Sequence, residues 1–161
     1  NKPNQVWASD ITYIRLKRGF IYLIAIMTGL VDLFSSISHP LHWIMNFVSE
    51  LFKKALTKAH PEIFNTIQGA QFTSSEFISL LNQNNIRISM DSRGRAFDNI
   101  FVKRLWRTVK YEEVYLKDYS LPKEAQESLN DYFNLYNTDR PHQALGHKTP
   151  YEVYYQKGGK T

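Results

Sequence analysis

Residues that could do chemistry are few in this chain, and most of them are cations. One carboxylate, Asp10, interrupts an apolar run, Trp7-Ala8-Ser9-Asp10-Ile11-Thr12-Tyr13. A strand carboxylate can ligate a divalent cation or serve as a hydrogen-bonded structural residue, and its neighbours leave both readings open. Phosphate chemistry is suggested further along. Residues 87–110 hold seven basic side chains (Arg87, Arg93, Arg95, Lys103, Arg104, Arg107, Lys110) against two acids, Asp91 and Asp98. That excess of +5 equals the formal charge of all 161 residues, so the remainder is balanced. A localised patch attracts phosphate and releases counterions better than a diffuse excess, although a solvated helix face is the plainer reading. There is no cysteine, hence no disulfide framework and no thiolate metal site. His142, in Arg140-Pro141-His142-Gln143, reads as a structural residue of a polar loop. The late tyrosines, from Tyr111 to Tyr155, read as packing of C-terminal helices, with base stacking as the alternative.

The elements that must position these groups alternate. Residues 6–16 and 20–27 are rich in Ile, Val, Thr and aromatics and are separated by Lys17-Arg18-Gly19, which predicts an antiparallel hairpin. A third strand is expected over 33–38. Ile44, Phe47, Val48, Leu51 and Ala55 fall at helical spacing, and His60-Pro61 ends that helix. Residues 62–67 read as a short buried strand. Ser74 or Ser75 can cap a helix to about Asn82, and residues 86–90 alternate as a last strand. A loop is expected over 91–99. Next comes a helix with an apolar stripe (Val102, Leu105, Trp106, Val109) beside a basic one (Lys103, Arg107, Lys110). Helices over 122–136 and 151–156 close the chain. Apolar content of 43% is ordinary for a single globular domain with its own core, and the apolar stretch 20–33 is too short and interrupted to span a bilayer. Periodicity by itself supports α/β or α+β, with strands joined through helices as parallel pairing requires.

Four blocks resemble the core of insertion-sequence transposases with a retroviral-integrase-like catalytic domain: NQVWASDITY at 4–13, FNTIQGAQFTS at 64–74, SMDSRGRA at 89–96 continuing to Glu112, and YNTDRPHQALG at 136–146 with Thr149-Pro150. The resemblance covers roughly residues 3–155. It implies a ribonuclease-H-like fold of the α/β class, with a mixed sheet of about five strands flanked by helices. It also implies a catalytic core over 1–118 and a C-terminal helical extension of the same domain over 119–161.

In that family three acids hold the catalytic metals, at the positions occupied here by Asp10, Ile67 and Lys103. Thirty-five residues separate the last two, the family's spacing. Such enzymes hydrolyse a phosphodiester and then direct the freed 3′ hydroxyl at another, using two Mg²⁺ ions about 4 Å apart. Here only Asp10 is an acid. Ile67 offers no lone pair, and Lys103 puts a cation where a second cation must bind, so the charge at the three positions is zero rather than −3. Asp10 alone is thus the one metal-ligand candidate, and Mg²⁺ binding is not expected. Rescue by Asp32, Asp98, Glu112 or Glu113 is not expected either. Asp98 precedes Lys103 by five residues, about 500° around a helix. A direct pair between Lys103 and Asp10 is expected if the helix packs on the central strands. Residues 28–31 look inserted relative to the family, and Ser36 stands where Arg is common.

The function so implied is that of a transposase or integrase core for DNA integration whose chemistry is lost. The alternative is a non-catalytic DNA-binding or oligomerising remnant that interferes with an active relative. Non-specific DNA contacts are expected from Arg93, Arg95, Arg104, Arg107, Lys110 and Arg140. Partners would be DNA and further copies of this chain or of a related transposase, with no membrane. The expected location is a bacterial cytoplasm, at the nucleoid when DNA is bound. The family's end-recognition helix-turn-helix is expected to precede residue 1.

Overall fold

The computed structural model describes residues 4–27, 31–36, 41–66, 72–90 and 96–158. Their strands form a five-stranded mixed sheet in the order β3-β2-β1-β4-β5. The chain enters through β1 (Val6–Arg15), turns, and returns antiparallel as β2 (Phe20–Met27). Gly19 makes the turn possible: its φ of +84° is one that side-chain-bearing residues rarely adopt, and its carbonyl accepts the Leu16 N–H at 3.0 Å. β3 (Val31–Ser36) continues the meander, starting two residues before its predicted position. Helix α1 (Leu41–Leu56) then carries the chain across to β4 (Ile63–Thr66), which lies parallel to β1. Helix α2 (Ser75–Gln83) leads to β5 (Arg87–Met90), parallel to β4. Ser74 is the N-cap of α2, its hydroxyl accepting the Phe77 N–H at 3.2 Å.

The predicted α/β class and ribonuclease-H-like arrangement are both found. Each face of the sheet has its own core, because neighbouring strand residues point to opposite faces. Trp7, Ile24, Ile26 and Phe64 meet Val48, Leu51 and Phe52 of α1 and Phe77 and Leu81 of α2. Edge-to-face rings knit this layer, with Phe52 centred 4.9 Å from Phe64 and 5.4 Å from Phe77. Such pairs contribute about 0.5–1.5 kcal/mol each beyond burial. On the other face Ile14, Ile21, Leu23 and Ala25 meet the stripe Val102, Leu105, Trp106 and Val109 of helix α3 (Ala96–Val109).

Helix α3 starts earlier than the expected loop allowed, so Asp98 and Asn99 lie in its first turn. An acid there is favoured by the partial positive charge of a helix N-terminus. The helix runs on into a π-helical turn, Lys110–Val114. Helix α4 (Pro122–Thr138) follows, with Pro122 at its first position and the Glu124 carboxylate accepting the Ser120 N–H at 2.9 Å. Its Ala125, Leu129 and Phe133 join the second core. A 3₁₀ turn (Gln143–Leu145) and α5 (Pro150–Gly158) complete the fold. No described helix is long and apolar enough to cross a membrane. Of the suspected insertion, residues 28–30 lie outside the described residues.

Candidate functional site

β1 is the point at which the sheet changes sense: β2 on one side is antiparallel, β4 on the other parallel. Ser9 pairs with Thr66, and Thr66 with Met90, so these three residues stand level across the parallel strands, and β1 runs on from there to Arg15. Ligand sites of open α/β sheets gather beyond such carboxyl ends, at the switch in strand order. Asp10 is the residue directly after Ser9. Ile67 follows Thr66 but lies outside the described residues, as do Arg93 and Arg95.

Asp10 belongs to the face that α3 covers, since it pairs with Ala25 of the second core. Its carboxylate is half-buried and both oxygens accept hydrogen bonds. The Trp106 indole N–H donates to Oδ2 at 2.9 Å, and the Ile11 amide donates to Oδ1 at 2.8 Å. Burial pushes the Asp10 carboxyl above the ordinary aspartate range, against the pull of these two donors and of the Lys103 charge. A hydrogen bond to a charged acceptor contributes about 1.5–3 kcal/mol, so Trp106 ties α3 to β1 at this point. Trp106 was read from the sequence only as part of an apolar stripe. Its position three residues after Lys103, on the adjoining helical face, was the available signal.

The expected ion pair between Lys103 and Asp10 does not form. Lys103 is exposed and acts on Asp10 only as a nearby charge, while the indole occupies the oxygen it would have taken. As a divalent-ion site the cluster does not fit. Mg²⁺ asks for near-octahedral oxygen ligands. Asp10 offers two oxygens already engaged, next to an ammonium of the wrong sign. No group of three or more potential ligands exists among the described residues.

The other acids lie elsewhere. Asp32, on β3 and two strands from β1, pairs with Ile26 of β2, while Asp10 pairs one position over, with Ala25. Glu113 is buried and turned towards α4. Its Oε1 accepts the Lys117 ammonium at 2.8 Å, the Tyr119 hydroxyl at 2.7 Å and the Ser128 hydroxyl. Burial raises its carboxyl, but these donors together hold it below the ordinary glutamate range. Glu112 takes the Arg140 guanidinium through both terminal nitrogens, with Nη2 to Oε1 at 2.8 Å, and the Tyr132 hydroxyl at 2.7 Å. The Arg140 hydrogen bonds hold Glu112 below its usual range.

Arg140 also lies 5.5 Å from the Tyr136 ring, so this guanidinium is engaged inside the fold on two sides. Arg104 and Arg107 are exposed on α3, and the Lys110 ammonium sits 5.6 Å over the Tyr13 ring. His142 packs on Tyr136 with ring centres 4.7 Å apart, and its backbone N–H donates to the Lys148 carbonyl at 3.0 Å. Burial holds its imidazole below the ordinary histidine range.

Two family models, both described as integrase core domain, match residues 1–96 and 84–150. The transposase for insertion sequence element IS904 of Lactococcus lactis is 34% identical over 158 residues, covering 92% of this chain and 60% of that protein. The InsF transposase for insertion sequence IS3A of Escherichia coli is 29% identical over 92% of this chain and 53% of its own length. The chain thus spans a little more than half of these relatives. Among solved structures, the catalytic core of BIV integrase superposes with a TM-score of 0.73 at 17% identity, covering 96% of both chains. The HTLV-2 integrase catalytic core, solved in complex with magnesium in a dimeric form, gives 0.63 at 19% identity over 95% of this chain and 97% of its own. At such identities these two establish the fold alone.

Proposed function

The chain belongs to the integrase core domain family, and from that premise we propose that it is a transposase core that still engages DNA but has lost its strand-transfer chemistry. One observation carries the reading. At the carboxyl ends of the parallel strands Asp10 is held by Trp106 and Ile11, with a lysine charge beside it where the family's pattern has an acid. We take positions 10, 67 and 103 as the triad positions, two of them substituted. Asp10 contributes geometry here: it accepts two N–H groups and fixes α3 on β1, and no chemical step is assigned to it. Arg104, Arg107 and Lys110, with Arg93 and Arg95 of the preceding segment, are the proposed phosphate contacts, through charge and without sequence preference. Arg140, fixed on Glu112, is placed last among them. Mg²⁺, which the family's chemistry uses, has no adequate ligand set among the described residues.

A non-catalytic role in assembly with an active relative is favoured by the same exposed basic face, which persists without the triad. We read residues 119–161 as an extension of the core and the location as cytoplasmic.

Calorimetry with Mg²⁺ and Mn²⁺, together with nicking of supercoiled plasmid, tests the reading. The natural chain should show neither metal binding nor metal-dependent nicking. Ile67→Asp with Lys103→Glu should restore metal binding, and either change alone should fail, because one leaves the ammonium and the other leaves a ligand missing. Metal-dependent cleavage by the natural chain that disappears in Asp10→Asn would establish a rebuilt active site and overturn the proposal.

A further inference from the structure

β1 extends to Arg15, but β4 pairs with it only from Val6 to Ser9. Beyond Asp10, no strand among the described residues covers that edge of β1. Helix α3 and its π-helical turn lie alongside, leaving an open groove of about 660 Å³ between strand and helix. Tyr13, Arg15 and Lys17 line it from the sheet, and Lys110, Tyr115 and Lys117 from the helical side. Two of the four cations have partners: Lys17 pairs with Asp118 at 3.4 Å, and Lys117 with Glu113 at 2.8 Å. Arg15 and Lys110 pair with no acid among the described residues.

The two tyrosines are 66% and 65% exposed, too open to serve the core. Tyr13 is nonetheless held in place: it stands on β1, paired with Tyr22 of β2, with Phe20 against it at 6.1 Å and the Lys110 ammonium at 5.6 Å. Tyr115 has Tyr111 at 5.3 Å, and the Arg107 guanidinium lies 5.9 Å from the Tyr111 ring. Cations and phenol rings are therefore interspersed from the basic face of α3 into the groove. The wider π-helical turn carries Lys110 and Tyr111, and such turns occur frequently at functional sites.

A basic channel with ring platforms is how unpaired nucleic acid is held: phosphates follow the cations and bases lie on the rings. Duplex DNA cannot use the rings, because its base faces are buried in the stack. The groove's volume is also that of a small-ligand pocket rather than of a duplex. We propose that the groove between β1 and the π-helical turn holds a short single-stranded DNA segment, with phosphates on Arg15 and Lys110 and bases on Tyr13 and Tyr115. This rests on the reading that the α3 face engages DNA, and it specifies the form of DNA taken next to that face.

The test is fluorescence anisotropy with a labelled twelve-nucleotide single strand and the matching duplex over a series of NaCl concentrations. Tyr13→Ala and Tyr115→Ala should each weaken single-strand binding about tenfold at fixed salt, with duplex binding and both salt slopes unchanged. Tyr13→Phe, which keeps the ring, should bind as the natural chain does. Arg15→Ala with Lys110→Ala should flatten the single-strand salt slope by about one to two units. Thermal melts of the variants identify any loss caused by unfolding, and the Phe variant retains the ring in a folded chain. Tyrosine variants that bind single strands normally, or lose both forms equally, overturn this inference while leaving the DNA reading intact. A natural chain that binds neither form overturns both. Impaired self-association in the alanine variants with normal single-strand binding would assign the groove to protein contact instead and overturn it as well.

Discussion

At Asp10 two effects oppose each other. Burial favours the neutral acid, while the indole and amide donors and the Lys103 charge favour the carboxylate; burial prevails, and the carboxyl titrates above its ordinary range. Such a group binds its proton more readily in the folded chain than in the unfolded one. Its contribution to stability is therefore fully present below the ordinary aspartate pKa and is lost as pH rises through the raised value. At neutral pH the charged carboxylate weighs against the fold. Asp10→Asn keeps an acceptor for Trp106 and removes the charge. In urea melts the variant should gain on the natural protein between pH 3 and pH 7. A difference between the two that is the same at both pH values would show that Asp10 does not titrate abnormally.

The π-helical turn after α3 is where neighbouring acids take different roles. Glu112 holds the Arg140 fork from the C-terminal segment, and Glu113 holds Lys117, Tyr119 and Ser128. Together they bind the end of α3 to α4 and to the loop between them. Truncating Glu113 would leave the buried Tyr119 hydroxyl and the Ser128 hydroxyl without their acceptor, while Lys117 keeps its bond to Ser128 Oγ at 2.6 Å. Glu113→Ala should cost about 3 kcal/mol, the scale for breaking a buried charged network. Because the Glu113 carboxyl is held low, its contribution is present above the ordinary glutamate pKa and lost as pH falls through the depressed value. Denaturant melts should therefore show natural protein and Glu113→Ala converging as the pH is lowered from 6 towards 2. A gap that stays constant would mean that packing, not charge, sets the cost.

On the scale of the molecule, the sheet is sandwiched between two helical layers, and one of them is assembled from distant parts of the chain. Tyr119, Ala125, Leu129 and Phe133 are buried against Ile14, Leu16, Ile21 and Leu23 of the first hairpin. The Lys17 N–H donates to the Tyr119 carbonyl at 2.9 Å. Fully burying a large apolar side chain contributes about 1.5–3 kcal/mol. Removing residues 119–161 exposes several such contacts, a loss comparable to the whole stability of about 5–15 kcal/mol that a domain possesses. A chain ending at residue 118 should show no cooperative melt and should bind a hydrophobic dye. A sharp two-state melt from that fragment would establish the C-terminal helices as a separate unit.

The sequence by itself determined the fold class, the hairpin, the helical stripe of Val102, Leu105, Trp106 and Val109, and the family, because each is written in local periodicity or in contiguous blocks. It also placed Asp10 on a strand and a lysine 93 residues later on a helix. It could not say what lies against them. That Trp106 rather than Lys103 takes the Asp10 oxygen depends on the height at which α3 crosses β1, and this follows from packing summed over both layers. The start of α3 at Ala96 was misjudged because Asp98 and Asn99 are as common in loops as in first helical turns. That Asp32 lies two strands from Asp10 was not legible either, because strand order is a property of the whole sheet. The Glu112–Arg140 fork joins residues 28 apart, and the groove beside Tyr13 lies where β1 runs on past its described pairing with β4. Such contacts between distant parts of the chain leave no period in the sequence, and only the tertiary structure decides them.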